Sequence, residues 1–229
     1  CGQQALIVAR RATAARQVTI VASEDEPATS LARVLERRGV GARIVRQLPA
    51  SGVAGDMVHM GAMRLASIPF DAGAAADAAE SACLGPLGDL VAFTRHPQAG
   101  RVWLITRGAQ PAGGEMAPGA RWQAPVWGLG RVFGLEHPNH WGGLVDLSTT
   151  DEVADCAEHL FRTLHSADAE DQIAFRNGRR LVCRLVQATT TEAAPIALRT
   201  DGAYVVTGGF GGLGSAIARW LAERGAGRI

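Results

Sequence analysis

The chain has 229 residues, of which 47% are hydrophobic, so it can bury the core of one large or two small domains. Its 23 Lys and Arg residues nearly balance 22 Asp and Glu residues, which argues against a nucleic-acid-binding surface. No apolar run reaches membrane-spanning length, no signal-peptide pattern is present, and the four cysteines form no C-x-x-C pair. We therefore expect a cytoplasmic protein without a membrane span, with reduced and mostly buried thiols.

From residue 18 to residue 186, apolar runs alternate with helical patterns. Residues 5–9 are compatible with a strand, and clearer strands are predicted at 18–22, 42–46, 56–60, 101–107 and 141–147. Helices are predicted at 28–38, 71–93 with a break at Gly85-Pro86, 123–137 starting near Pro125, and 151–164. The segment 110–119 predicts a mobile loop, and Asn177-Gly178 predicts the tight turn of a hairpin over 172–186.

The first strand-to-helix turn is acidic. Glu24, Asp25 and Glu26 lie where the helix begins, and no glycine is present there to admit a pyrophosphate. Carboxylates at a helix N-terminus suit the helix dipole but repel a phosphate. The pattern predicts a dinucleotide-type half that keeps the fold and lacks the cofactor.

No metal site is predicted. The acidic turn has no histidine or further acid placed nearby to complete a ligand set, and His137 and His140 have no cysteine or carboxylate at ligand spacing. His59, in a predicted strand, has no sequence partner and is interpreted as a packed or edge histidine.

A second strand-to-helix turn lies near the end of the chain and is rich in glycine. The apolar run 203–207 predicts a buried strand, and 212–221 a helix with Ile217, Trp220 and Leu221 on one face. The spacing T-G-x-x-x-G-x-G, between a strand and a helix, is typical of a loop that holds a pyrophosphate against backbone amides. The predicted cofactor-binding residues are Thr207, Gly208, Gly209, Phe210, Gly212, Leu213 and Gly214. The alternative is a glycine-rich turn with no ligand.

The order of elements predicts an α/β protein with two parts. Residues 1–186 are expected to form a doubly wound, Rossmann-like, cofactor-free subdomain, and 187–202 a linker rich in Thr and Ala. Residues 203–229 are expected to open a second Rossmann subdomain, and the glycine spacing of its turn resembles the short-chain dehydrogenase/reductase pattern. Because a domain does not normally end inside a βαβ unit, we expect the chain to be a segment of a longer protein.

The segments 124–138, 141–147, 172–185 and 207–214 together resemble the ketoreductase region of a modular type I polyketide synthase, with a composition like that of actinobacterial members. The resemblance implies reduction of a β-ketoacyl thioester, carried on the phosphopantetheine of an acyl carrier protein, to the β-hydroxyacyl thioester with NADPH. It also implies neighbouring synthase domains and a homodimeric parent. Its catalytic Ser, Tyr and Lys have no counterparts here. The only tyrosine, Tyr204, is interpreted as a packing residue, so this segment alone is expected to be inactive.

Two alternatives remain open at this point. The parent domain is either an active reductase or a non-catalytic scaffold that keeps the fold. A ketoreductase of a multifunctional fatty acid synthase would use many of the same residues. If the sequence is contiguous, no enoylreductase is inserted between the two subdomains.

Overall fold

The computed structural model describes residues 17–22, 25–69, 71, 73, 75–113, 116–187 and 196–229. The strand expected at residues 5–9 and the carboxylate of Glu24 lie outside this part of the chain. Internal contacts divide the chain into two compact units, Cys1–Arg184 and Leu185–Ile229. Each unit is described by itself.

The first unit is built on one seven-stranded sheet, which confirms the α/β, Rossmann-like prediction. The strand order is β2-β1-β3-β4-β5-β6-β7, and only β7 is antiparallel to its neighbour. The strands are β1 (Gln17–Val21), β2 (Gly41–Val45), β3 (Gly55–His59), β4 (Ala99–Arg107), β5 (Trp141–Leu147), β6 (Gln172–Arg176) and β7 (Arg179–Val182). The order reverses between β1 and β3, so the sheet is doubly wound.

Helices cover both faces of this sheet, and each face has its own core. They are α1 (Glu26–Arg37), α2 (Ala75–Thr94), α3 (Ala120–Glu136) and α4 (Val153–Leu164). Along β4, Trp103 and Ile105 belong to the core under α1 and α4, whereas Val102 and Leu104 belong to the core under α2 and α3. Because both faces are buried, the central strands read as continuous apolar runs rather than alternating ones.

Two helices differ from prediction. Helix α2 continues through Pro86, because Ala82 and Leu90 on either side are both buried in the same core and that burial outweighs the cost of a helical proline, about 3 kcal/mol. Helix α3 begins at Ala120, so its proline lies in the second turn rather than near the start. Gln123 anchors this early start, since its side-chain amide bonds both backbone groups of Arg107 at 2.9 Å.

Local predictions for the sheet edge hold. Asn177 and Gly178 have φ of 51° and 70°, as the tight turn of the hairpin requires, although β7 ends at Val182 rather than at residue 186. Two of the three glycines of α3, Gly130 and Gly134, allow close approach to β5. A Cβ on Gly130 would lie 2.8 Å from Leu144 Cδ2, and one on Gly134 would lie 2.9 Å from the Trp141 ring.

In the second unit, residues 185–187 and 196–229 contain one helix, α5 (Gly212–Glu223), where a helix was predicted. The strand predicted at 203–207 is not formed. Ala203 makes a single parallel bridge with Arg228, Tyr204 N–H donates to Arg228 O (2.8 Å), and Val205 is 91% exposed. A parallel strand exists only through pairing with a neighbour, and Arg228 is the one parallel partner that the described residues offer.

The thiols are less buried than expected. Cys156 is buried, and burial raises its pKa to about 11, whereas Cys83 is half-buried and Cys183 is exposed. Across the described ranges, no helix is long and apolar enough to cross a membrane. The same residues contain no cluster of three or more His, Cys, Asp or Glu side chains that could hold a metal ion.

Candidate nucleotide-binding site

The glycine loop of the second unit forms a tight turn that leads directly into α5. Gly208 has a φ of +70°, in the left-handed region that favours glycine. Its carbonyl oxygen accepts a hydrogen bond from Gly211 N–H at 2.9 Å, and α5 begins one residue later. The glycine spacing read from the sequence therefore corresponds to a defined backbone turn.

The N-terminus of α5 has unfilled donors. The first intrahelical bond is donated by Ser215 N–H to Gly211 O (2.9 Å), so the amides of Gly212, Leu213 and Gly214 precede the hydrogen-bonded ladder. Within the described part of the chain, no side chain caps this helix. Three free amides at the positive end of a helix dipole are suited to bind an anion such as a phosphate.

The glycines of the loop differ in their surroundings. A Cβ on Gly214 would overlap the carbonyl oxygen of Gly208, so the absence of a side chain there allows the helix to pack against its own loop. A Cβ on Gly212 would meet no atom within 4 Å, which leaves that position open to a ligand. The structure thus separates a packing glycine from one that faces free space.

The side chains of the loop point away from the unit's own packing. Thr207 is exposed, and Phe210 and Leu213 have exposures of 108% and 78%. A residue that the sequence analysis missed is Ser215, whose hydroxyl donates to Gly209 O at 3.0 Å and ties the first turn of α5 back to the loop. The sequence feature that could have identified Ser215 is a hydroxyl side chain in the first helical turn after a glycine loop.

Residues 202–218 contain no acidic or basic side chain, so attraction for an anion comes from backbone dipoles alone. Just before the loop, Arg199 and Asp201 form an exposed ion pair (2.9 Å), and the guanidinium lowers the pKa of the Asp201 carboxyl. The phenol oxygen of Tyr204 accepts a hydrogen bond from Arg199 N–H at 2.6 Å. The packing role predicted for Tyr204 stays a prediction.

In the first unit, the corresponding helix N-terminus is occupied. Asp25 is the N-cap of α1, and its Oδ1 accepts a hydrogen bond from Ala28 N–H at 3.1 Å. Its backbone carbonyl accepts a second bond from the Thr29 hydroxyl (2.9 Å). The carboxylate takes the amide that a phosphate would use and adds a repelling charge.

The buried histidine of β3 has a partner that the sequence did not reveal. His59 Nε2 lies 3.2 Å from Asp89 Oδ2, and both side chains are buried. Gly61 N–H donates to His59 Nδ1 (3.3 Å), which assigns the ring proton to Nε2. The other Asp89 oxygen accepts Leu48 N–H (2.8 Å), so the pair fastens the segment after β2 to α2.

A second buried polar cluster lies at the carboxyl ends of β4, β5 and β6. Arg176 Nη2 donates to Asp146 Oδ2 at 2.5 Å, and the Thr106 hydroxyl donates to Asp146 Oδ1 at 2.6 Å. The same carboxylate accepts the N–H groups of Ala109 (2.9 Å) and Gln110 (3.0 Å). The loop predicted to be mobile is therefore fixed at its beginning, and we assign this cluster a structural role because all of Asp146 is buried.

The fold defines the class: an α/β protein with a doubly wound, Rossmann-like first unit, followed by a glycine-rich turn that leads into α5. Residues 5–185 match the family model described as "Polyketide synthase extender module SpnB, Rossmann fold domain", and residues 202–229 match the model of the KR domain. Because the first match covers most of the chain, the chain belongs to the SpnB Rossmann-fold family of polyketide synthases.

Relatives and solved structures agree with this assignment. The polyketide synthase GfsA of Streptomyces halstedii is 45% identical over 131 residues, which are 56% of this chain and 2% of that protein. The pikromycin synthase component PikAIII of Streptomyces venezuelae is 42% identical over 126 residues, or 55% of this chain and 8% of that protein. The chain thus spans only a small part of these relatives.

Among solved structures, the ketoreductase PlmKR1 from the first module of phoslactomycin biosynthesis in Streptomyces sp. HK803 matches with a TM-score of 0.61 and 28% identity. That match covers 92% of this chain and 42% of PlmKR1. A C2-type ketoreductase from a modular polyketide synthase matches with a TM-score of 0.60 and 27% identity, over 93% of this chain and 48% of that one.

Proposed function

We propose that this chain is the structural half and the first nucleotide-binding turn of a polyketide synthase ketoreductase, which reduces a β-ketoacyl thioester to the β-hydroxyacyl thioester with NADPH. The observation that carries the proposal is the uncapped N-terminus of α5 beneath a glycine turn, in a chain whose first half belongs to a polyketide synthase family. The domain limits we propose are 1–186, 187–202 and 203–229. The contact boundary after Arg184 and the family match ending at residue 185 support them.

In this proposal the cofactor is held by the backbone. The amides of Gly212, Leu213 and Gly214 bind the pyrophosphate, Gly208 and Gly209 shape the turn, and Thr207 and Phe210 flank it. When bound, NADPH supplies the hydride. The acid that protonates the product is not Tyr204, whose phenol is engaged with Arg199. We therefore expect the catalytic Ser, Tyr and Lys to come from other parts of the complete reductase.

The substrate and partners follow from the same proposal. The acyl chain is presented on the phosphopantetheine of an acyl carrier protein. The reductase acts among neighbouring domains of the same synthase polypeptide, which is cytoplasmic and forms a homodimer. The first unit contributes a rigid support. Its own helix N-terminus at the start of α1 is filled by Asp25, so it is not expected to hold a second cofactor.

Nicotinamide fluorescence on mixing with NADPH tests the proposal. We compare the 229-residue chain with a polypeptide extended by about 220 residues, a typical length for completing such a domain. Binding by the extended polypeptide, lost on Gly214→Val, is the expected result. Absence of binding by both would favour a scaffold-only reductase, and Phe210 would be the first residue to replace.

A further inference from the structure

The last two strands of the sheet pack into a helix-covered core on only one face. Ile173 and Phe175 of β6 and Val182 of β7 contribute to the core under α1 and α4. Among the described residues, no residue of β6 or β7 belongs to the core under α2 and α3. Because successive side chains of a strand point to opposite faces, Ala174 and its register partner Leu181 lie on the other face.

A cleft of about 430 Å³ lies where α3 meets these two strands, and we call it the β6/β7 cleft. It is lined by residues 172–174 and 181–183 of the strands and the chain after them, by Trp127 and Arg131 of α3, and by residues 110–112 of the loop after β4. Most of the lining side chains are apolar. Its volume falls in the range of small-molecule sites, about 300–1,000 Å³.

Hydrogen bonds to the sheet hold the walls of the cleft in place. The indole of Trp127 is fixed because its Nε1 donates to the Thr106 hydroxyl at 3.0 Å. The loop is fixed because Gln110 N–H donates to the buried Asp146 carboxylate at 3.0 Å. The Gln110 carbonyl in turn accepts a bond from Arg176 Nη2 at 2.7 Å. A cleft whose walls are already ordered loses little conformational entropy when a ligand binds.

The charge of the cleft comes from one side chain. Arg131 is the only charged residue among those that line it. Its Nε donates to Gln172 Oε1 at 3.1 Å, and its guanidinium carbon lies 5.9 Å from the centre of the Trp127 ring. In the part of the chain that the structure describes, no carboxylate forms an ion pair with it. Its two terminal nitrogens can therefore donate to an anion in the cleft.

We propose that the β6/β7 cleft binds a small amphipathic anion, with its aliphatic chain against Trp127, Ala174 and Leu181 and its carboxylate on Arg131. The apolar lining accounts for the chain, and the single unpaired cation accounts for the charged end. All the residues involved lie in the first unit, and none belongs to the glycine turn. The inference is therefore independent of the proposed function.

Isothermal titration calorimetry of the 229-residue chain with sodium decanoate tests the proposal. We expect saturable binding with a dissociation constant below about 1 mM. Arg131→Gln removes the charge at an exposed position and should weaken binding about tenfold, whereas Arg219→Gln, at an exposed position on α5, should leave it within about twofold. Equal affinities of wild type and Arg131→Gln, or no saturable binding, would overturn the proposal.

Alkylation of Cys183 locates the bound molecule. This thiol is exposed and lines the cleft, whereas Cys83 on α2 is half-buried and lies outside it. Decanoate at about ten times its dissociation constant should slow iodoacetamide alkylation of Cys183 about tenfold, measured by mass spectrometry, and leave Cys83 unchanged. Binding without protection of Cys183 would place the molecule elsewhere. Slow alkylation of Cys183 without decanoate would show that another part of the polypeptide covers the cleft. Either result would overturn the proposal.

Cys183→Phe provides a second variant, which acts on the space rather than on the charge. A ring at this exposed position of the lining should weaken decanoate binding at least about tenfold, and thermal denaturation checks that the variant is folded. Unchanged affinity in the folded variant would contradict binding in the cleft. NADPH binding by the complete reductase should be the same in Arg131→Gln and wild type, so this inference and the proposed function can fail separately.

Discussion

The two strand-to-helix turns of this chain differ in how the backbone N–H groups at the start of the following helix are treated. At the start of α1, the Asp25 carboxylate accepts a hydrogen bond from Ala28 N–H at 3.1 Å. At the start of α5, within the described residues, no side chain caps the helix, and the turn is made by Gly208 and Gly211. The N-terminus of α1 is capped by its own side chain, whereas the N-terminus of α5 is the one that we propose binds an anion.

The two units therefore differ in how the backbone groups after a strand are satisfied, by side chains in the first unit and by a glycine turn in the second. In the first unit carboxylates also close other loops at the carboxyl edge of the sheet, as Asp146 does for Ala109 and Gln110. At these two places, backbone N–H groups near the carboxyl ends of the strands are bonded to carboxylates of the protein itself.

The largest effect is expected for Asp146→Ala in the first unit. It leaves the buried Arg176 guanidinium without its counter-charge and frees two loop amides, at a cost of about 3–5 kcal/mol in unfolding free energy. Urea denaturation followed by tryptophan fluorescence measures it. Asp168→Ala removes a surface ion pair with Arg180 (2.9 Å) and should cost less than about 1 kcal/mol. Equal losses of unfolding free energy in the two variants would show that the buried polar cluster around Asp146 does not stabilise the first unit more than a surface ion pair does.

Gly214→Val is expected to abolish the open site in the second unit. Its side chain would overlap the Gly208 carbonyl, displace the turn and weaken NADPH binding by the complete reductase at least about 100-fold, or about 2.8 kcal/mol. Ala216→Val places the same side chain at an exposed position of α5 and should leave the dissociation constant within about twofold. Retained binding by Gly214→Val would rule out this turn as the phosphate site.

Asp25→Ala tests the capped N-terminus of α1. Loss of the cap should lower the unfolding free energy by about 1 kcal/mol, measured by urea denaturation. Glu26→Ala, in the same helical turn but without the capping bond, is the control. In a Gly214→Val background, Asp25→Ala should not gain NADPH binding. A gain would show that the carboxylate alone separates the two turns.

The smallest effect is expected for Phe210→Ala. The side chain is fully exposed, so its removal should change the unfolding free energy by less than about 0.5 kcal/mol. Thermal denaturation of wild type and variant, with Leu213→Ala as an exposed control in the same loop, measures the difference. A clear loss of stability in Phe210→Ala alone would show that the ring packs against the protein.

Local sequence determined most of the first unit. Apolar runs and helical spacing located the strands and helices, and Asn177-Gly178 fixed the hairpin turn through its left-handed backbone angles. It also located the glycine turn before α5, because glycine spacing records backbone angles and close approaches that other residues do not permit. The acidic turn before α1 could also be predicted from the sequence, because a helix cap is a contact between residues close together in the chain.

Contacts between residues far apart in the chain could be identified only from the tertiary structure. His59 lies within hydrogen-bond distance of Asp89, 30 residues further along the chain, and Arg176 bonds Asp146 over the same sequence separation. No local sequence pattern predicts either pair. The start of α3 depends on Gln123 reaching Arg107, and the exposure of Val132 and Leu135 depends on which face of α3 packs inward. The predicted strand at 203–207 was wrong for the same reason: its apolar pattern is local, but a strand is made by its neighbours.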